Sequence, residues 1–297
     1  MKCIVTGGCG FVGSNLVDML VEQRHMVAVI DNLSSDAHDH FYYNAAASYH
    51  KWDVVDYGMC SDVFDTVKPD VVFHLAAESR IQNCMGDPGR CMKTNVMGTE
   101  TILALCNQHK ASRMVFMSTS AIYGLQAKEI QNENDAPDCL NAYSYSKWFG
   151  ENLCKMYSKN YGLDTVCFRG FNIYGNRQPK KGQYAPVIGI FKRQKNAGEP
   201  LTIVGDGKQR RDFVHVSDVC RGLVAGALTD QNQAGEVYNL GSGKNYSVNE
   251  IADMIGGERV YLPARQGESR STLADNTKVK EKLGWILQYD LPSQISV

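Results

Sequence analysis

The 297-residue chain predicts an α/β protein, a Rossmann-type doubly wound parallel sheet with a smaller α/β C-terminal lobe. Three observations predict it. Short β-rich runs alternate with amphipathic helical patterns over the first 170 residues. A glycine-spaced turn, "TGGCGFVG" at 6–13, separates the first strand from the first helix, and after Gly170 the rhythm changes to Gly- and Lys-rich loops. Such alternation predicts parallel strands joined by crossover helices.

Strands are expected at "KCIVT", "MVAVID", "SYHKWD", "DVVFHL", "RMVFMS" and "DTVCFRG". Helices are expected at "FVGSNLVDMLVEQ", from Asp56 to Lys68, from Gly89 to His109 and from Ala142 to Tyr161. In these segments apolar residues recur at three and four, which lays one face on a sheet. A helix near 186–197 precedes "PLTIVGDGKQRRDFVHV", after which "RDFVHVSDVCRGLVAGAL" and "EVYNLGSG" read as strand, helix and strand. The expected division is therefore interleaved: a dinucleotide-binding domain over 1–170, to which the chain returns around 212–243, and a lobe over 171–297.

Lys plus Arg number 31 against 32 for Asp plus Glu, so no broad positive field invites a nucleic acid. The longest apolar runs, "MVAVI" and "VVFHLAA", fall far short of the roughly 20 residues that cross a bilayer. "MKCIVTGG" enters a strand pattern directly, and a cytoplasmic setting is expected. The ten cysteines contain no C-x-x-C pair and read as reduced core thiols; the seven histidines show no metal-ligand spacing, so no metal is expected.

Gly7, Gly10 and Gly13 fall at a strand end and a helix start. Two readings are open. Glycines there permit a tight turn, and they also let a pyrophosphate approach the free N–H groups of a helix N-terminus. Asp31, 18 residues beyond Gly13 at the end of the second strand, suits a ribose diol and would repel a 2′-phosphate. No arginine follows it in "NLSSD", so NAD is preferred over NADP. Asp53 either meets the adenine edge or caps the next helix.

In "NAYSYSKWFGEN", Tyr143 and Lys147 stand four apart, on one helix face. A neighbouring ammonium and an oxidised nicotinamide would favour phenolate, turning the phenol into a base. Such a pair also arises by chance, as a half-buried tyrosine beside a snorkelling lysine. Ser118, Thr119 and Ser120 end the "RMVFMSTSAIYG" strand, where ligands of open parallel sheets sit, although hydroxyls there are also ordinary turn residues.

With these motifs in order, the chain resembles the extended short-chain dehydrogenase/reductases, in their NAD-dependent nucleotide-sugar epimerase/dehydratase branch, and UDP-glucose 4-epimerase-like members most closely. The resemblance covers nearly the whole chain and rests on "TGGCGFVGSNL", "DNLSSD", "WDVVD", "VVFHLAAESR", "TNVMGT", "MSTSAIYG", "YSYSK", "RGFNIYG", "GDGKQRRDFVHVSDV" and "ARQGESRSTLADNTKVKEKLGW". It implies that Gly7, Gly10, Phe11, Val12, Asp31 and Asn32 hold NAD, with Asp53 and Val54 at adenine. Leu75, Ala76 and Ala77 would line the cofactor, with Asn95 supporting the active-site tyrosine. Thr119, Tyr143 and Lys147 form the implied catalytic triad, and the last two also contact NAD. Ser120 and Asn172 would touch substrate, the strand carrying Thr202 would meet the base, and Arg211 and Arg265 would grip the diphosphate.

Family dehydratases carry an Asp-Glu pair just after the catalytic threonine, and decarboxylases a glutamate at the second place. Here those positions hold Ser120 and Ala121. The resemblance then implies reversible oxidation at C4 of a UDP-hexose through a transient 4-keto sugar. Thr272, at the gate beside the 2-substituent, implies room for N-acetyl sugars. Gly170, where some 4-epimerases place a tyrosine against the nicotinamide, and an end at Val297, earlier than most members, depart from the pattern. The family usually dimerises through a four-helix bundle of the segments at 89–109 and around Tyr143. Rival readings are a CDP-sugar 2-epimerase, a nucleotide-sugar dehydrogenase or reductase, and a nucleotide-sensing protein without chemistry.

Overall fold

The computed structural model describes residues 1–35, 40–126, 128–179, 187–263 and 270–295. From the N-terminus the chain runs β1 (Lys2–Thr6), α1 (Phe11–Glu22), β2 (Met26–Ile30), β3 (Ser48–His50), α2 (Tyr57–Val67) and β4 (Val71–His74). It continues through α3 (Ile81–Gly86), α4 (Pro88–Met92), α5 (Gly98–Gln108), β5 (Arg113–Thr119), α6 (Ala142–Tyr161) and β6 (Thr165–Gly170). The remainder comprises β7 (Ile173–Tyr174), α7 (Val187–Asn196), β8 (Leu201–Val204), β9 (Arg210–Asp212), β10 (Val214–His215) and α8 (Val216–Leu228). Last come β11 (Glu236–Leu240), β12 (Asn245–Ser247), α9 (Val248–Ile255), β13 (Arg259–Leu262), α10 (Thr277–Leu283) and α11 (Leu291–Ile295).

Seven strands form one sheet in the order β11-β6-β5-β4-β1-β2-β3, every neighbouring pair parallel. Strand order reverses between β1 and β4, which opens a crevice at the strands' carboxyl ends. Successive residues serve opposite faces. Val5, Val29, Phe73 and Val115 pack with Leu16 and Leu20 of α1 and Leu223 of α8, whereas Ile4, Ala28, Val72 and Phe116 pack with Phe64 of α2, Ile102 of α5 and Cys154 of α6. Burial on both faces explains the nearly unbroken apolar runs.

Two expectations needed local revision. The third strand stops at His50, and Asp53 lies beyond it, accepting from Asn32 Nδ2 at 3.0 Å and Val55 N at 3.1 Å. The cap of α2 is instead Asp56, whose side chain accepts from Met59 N. The expected helix over 89–109 is helical throughout, but between α4 and α5 Lys93–Met97 form one turn of π-helix, a widening that redirects a side chain. The helix expected over Ala142–Tyr161 forms with those bounds, opened by a capping box between Asn141 and Ser144.

Beyond β6 the chain leaves the sheet, then returns through α8 and β11, and β11 pairs with β6. The outlying lobe has its own core, with Ile188 and Phe191 of α7, Leu201 and Ile203 of β8, and Ile251 and Ile255 of α9.

Candidate active site

A cavity of about 1220 Å³ runs along the carboxyl ends of the strands, from the glycine turn to the outlying lobe. Small-molecule pockets are typically roughly 300–1,000 Å³, so this cavity is at the large end. At one end its wall carries Gly7, Gly10, Phe11, Val12, Asp31, Asn32 and Val54; Leu75, Ala76 and Ala77 follow along β4's end.

The glycine turn is both tight and open. Gly7 has φ +69°, and a Cβ there would stand 2.8 Å from the Ala76 backbone. One on Gly13 would stand 2.1 Å from the Gly7 carbonyl oxygen, so α1 approaches the turn only without a side chain. Gly10 caps α1 in extended conformation, and no acidic residue occupies the helix's first turn. Its free N–H groups therefore face the cavity with their partial positive charge uncompensated. Asp31 pins the turn, its carboxylate accepting from Cys9 N at 3.0 Å and Leu33 N at 2.9 Å. These residues fit a dinucleotide: a side-chain-free cradle, a helix N-terminus, and a carboxylate at the end of β2.

Midway along, Thr119, Ser120, Tyr143 and Lys147 share the wall. Thr119 ends β5 and caps a short 3₁₀ turn at Ser120–Tyr123 by accepting from Ala121 N. Its hydroxyl also acts on the Tyr143 phenol, lowering its pKa against the larger effect of burial. Lys147 is fastened to β5, donating to Met117 O at 2.8 Å and standing 4.8 Å over the Phe116 ring. Burial pushes the Tyr143 phenol up to about 12 against the pull of Thr119, and burial draws the Lys147 ammonium down to about 8. Burial is the largest cause of both shifts and holds each group toward its neutral form.

Ser118 is occupied otherwise: its hydroxyl donates to Glu151 Oε1 at 2.6 Å, and Arg169 grips that buried carboxylate with Nε at 2.9 Å and Nη2 at 2.7 Å. Asn95, carried on the π turn, lies off the cavity wall. Its amide donates to Ser146 Oγ at 2.8 Å, and Ser146 donates to the Tyr143 carbonyl at 2.7 Å. Asp53 is likewise turned away, toward Asn32, and Trp52 and Val54 form the wall beside it.

At the far end the wall holds Asn172, Thr202, Arg211 and Thr272. Asn172 Nδ2 donates to Asp212 O at 2.8 Å and to the Thr272 hydroxyl at 3.4 Å. Gln194 brackets Thr202, donating to its hydroxyl at 2.9 Å. Arg265 lies outside the described residues. Gly170, also on the wall, is crowded: a Cβ would stand 2.5 Å from the Met117 methyl. Trp52 and Arg80 lie inside quoted motifs but were not singled out as wall residues, and Gln194 of α7 carried no sequence signal.

Comparison with known proteins agrees with this architecture. A model of the NAD dependent epimerase/dehydratase family matches residues 3–241. A putative UDP-glucose 4-epimerase of Methanocaldococcus jannaschii is 35% identical, over 98% of this chain and 95% of its own length. A UDP-glucose 4-epimerase of Thermotoga maritima, solved with UDP-glucose, has TM-score 0.93 at 34% identity, covering 99% of this chain and 96% of that one. A UDP-glucuronic acid 4-epimerase of Bacillus cereus, solved with UDP-glucuronic acid and NAD, has TM-score 0.88 at 29% identity over 99% and 96%. Glycine turn, sheet order and these matches agree: the chain belongs to the NAD-dependent epimerase/dehydratase family, and its cofactor is NAD.

Proposed function

We propose that the protein is a UDP-hexose 4-epimerase that works through a transient 4-keto sugar and keeps its NAD between turnovers. The observation that carries this is the meeting of Thr119, Tyr143 and Lys147 on one cavity wall, between the glycine turn and the lobe residues Asn172, Arg211 and Thr272. NAD supplies a hydride acceptor and donor at the sugar. Tyr143, relayed by Thr119, takes the C4 hydroxyl proton and later returns it, and Lys147 holds the cofactor ribose and lends positive charge. Arg211 offers a planar fork to the diphosphate, the role Arg265 shares by resemblance. Ser120 and Ala121 carry no carboxyl group to work at the neighbouring carbon, which favours epimerisation over dehydration or decarboxylation.

In this reading residues 1–170, with the return at 212–243, hold NAD, and 171–297 hold the nucleotide sugar. The same reading includes a homodimer. Tyr145 and Phe149 of α6, and Met97 at the end of the π turn, are 43%, 42% and 55% exposed, an apolar face that a second copy's α5 and α6 would cover in a four-helix bundle.

The test is incubation of purified protein with UDP-, GDP-, CDP- and dTDP-sugars without added coenzyme. A UDP-hexose C4 epimer is expected; C2 epimers of a CDP-sugar, or net NADH, would overturn the assignment.

A further inference from the structure

His74 is wholly buried at the end of β4, off the cavity wall, yet both ring nitrogens are engaged. Nδ1 lies 2.7 Å from the Thr6 hydroxyl, and Nε2 lies 3.0 Å from the Thr99 hydroxyl. The direction of each bond follows from counting donors and acceptors. Thr6 Oγ1 already accepts from Leu75 N at 3.2 Å and Ala76 N at 3.1 Å. The Leu75 N–H is shared with the Thr6 carbonyl at 3.2 Å, so the direction is fixed from the other side of the ring: Thr99 gives its hydroxyl hydrogen to the Asn95 carbonyl and can only accept from Nε2. Nδ1 is therefore bare and Nε2 carries the proton, which it gives to Thr99. Thr99 in turn donates to the Asn95 carbonyl at 2.6 Å.

Asn95 belongs to the π turn, and its side-chain amide starts a second run of bonds. Oδ1 accepts from Glu78 N at 2.7 Å, and Nδ2 donates to Ser146, which holds the Tyr143 carbonyl. Two runs of bonds therefore meet at Asn95, one from Thr6 through His74 and Thr99 to its backbone carbonyl, the other from its side-chain amide through Ser146 to the Tyr143 carbonyl. Every member is buried or half-buried.

We propose that His74, locked as the neutral Nε2–H tautomer, is a positioning residue that sets Tyr143 against the cofactor floor through Thr99 and Asn95. A charged ring would turn Nδ1 into a donor facing a Thr6 hydroxyl that already accepts from two backbone N–H groups, so protonation removes the Thr6-to-Nδ1 bond. Burial independently holds the imidazole down at about 3. The charged group acting on it is Lys147 of α6, whose field works in the same direction; Thr6, Phe116 and Thr99, its neighbours from β1, β5 and α5, carry no charge.

The inference rests on Tyr143 doing the chemistry, and two readouts separate its failure from failure of that reading. The first needs no activity: long-range ¹H–¹⁵N spectra of the holoprotein should show His74 as the neutral Nε2–H form from pH 5 to 8. An Nδ1–H form, or titration inside that range, overturns the proposal. The second is kinetic. His74→Phe keeps the ring and removes both bonds, and should lower kcat by roughly 10²-fold, as expected for a displaced catalytic group, with KM for the UDP-sugar within about twofold. His74→Gln restores an acceptor and a donor and should recover most of kcat. Should His74→Phe fail to fold, Thr99→Val cuts the same run at its next bond and should show the same split. Unchanged kcat in the folded variants, or equal losses in the Phe and Gln variants with raised KM, sinks the proposal.

Discussion

Lys147 is held at a cost to stability. Its folded value, drawn down to about 8, lies below the ordinary 10.5, so between those values the unfolded chain binds the extra proton and stability rises with pH. Below about pH 8 the whole penalty is present, on the order of 3 kcal/mol. Lys147→Met should therefore raise the Tm at pH 7 while abolishing turnover, and the gain should fade between pH 8 and 10.5 in a pH series of thermal melts. Thr272 makes a different kind of prediction. Its hydroxyl accepts from Asn172 Nδ2 and, at 3.3 Å, from Asp212 N, and its side chain is small. Thr272→Tyr should remove turnover of UDP-N-acetylglucosamine by at least 10-fold and spare UDP-glucose, read as the ratio of kcat/KM for the two sugars. Tyr143, Lys147 and Thr119 were legible in the sequence because helical spacing and strand-end position are local properties. The direction of the Tyr143 shift was not, because burial, its largest cause, arises only when the folded chain packs around the phenol.

Among elements, α6, β5 and β6 meet over the buried ion pair of Glu151 and Arg169, whose side chains are 6% and 5% exposed. Removing one partner leaves an uncompensated charge and should cost about 3–5 kcal/mol, whereas removing both should cost less than either alone. Urea unfolding of Glu151→Leu, Arg169→Met and the double variant checks this non-additivity. These elements were readable from their apolar periods, and α6 even at its ends, since Asn141 and Gly162 are cap residues visible in the sequence. The π turn at Lys93–Met97 was not. A single wide turn leaves the flanking periods intact, and only the packing of Asn95 against Ser146 shows why it exists. Asp53 and Asp56, three apart, both suit a helix cap, and only the folded structure tells them apart, with Asp56 accepting from Met59 N and Asp53 from Asn32 and Val55.

For the whole molecule, the exposed aromatic face of α6 leads to an assembly prediction. Tyr145, Trp148 and Phe149 contact one another in a surface cluster, so the 33.0 kDa chain should sediment at twice its mass. The double variant Tyr145→Glu/Phe149→Glu should sediment as a monomer with its circular dichroism unchanged. Acid should also weaken the fold. The values of His74, about 3, and His215, about 4, both lie below 6.5, so unfolding takes up protons and stability falls as pH drops from about 6.5. Guanidinium unfolding at pH 7 and pH 4.5 measures the loss, and His74→Gln should shrink it. The sheet order was foreshadowed by strand–helix alternation. The lobe's share of the cavity was not, because Thr202, Arg211 and Thr272 come together from segments far apart in the chain.

The path of the chain after β6 has one more consequence. Because β11 completes the edge of the main sheet beside β6, and α8 covers the face shared with α1, scission after Gly170 would expose both a strand edge and the apolar flank of α1. The first 170 residues should therefore not survive as an excised fragment. Protease nicking in the connection after β7 should leave the two pieces clasped together until denaturant parts them.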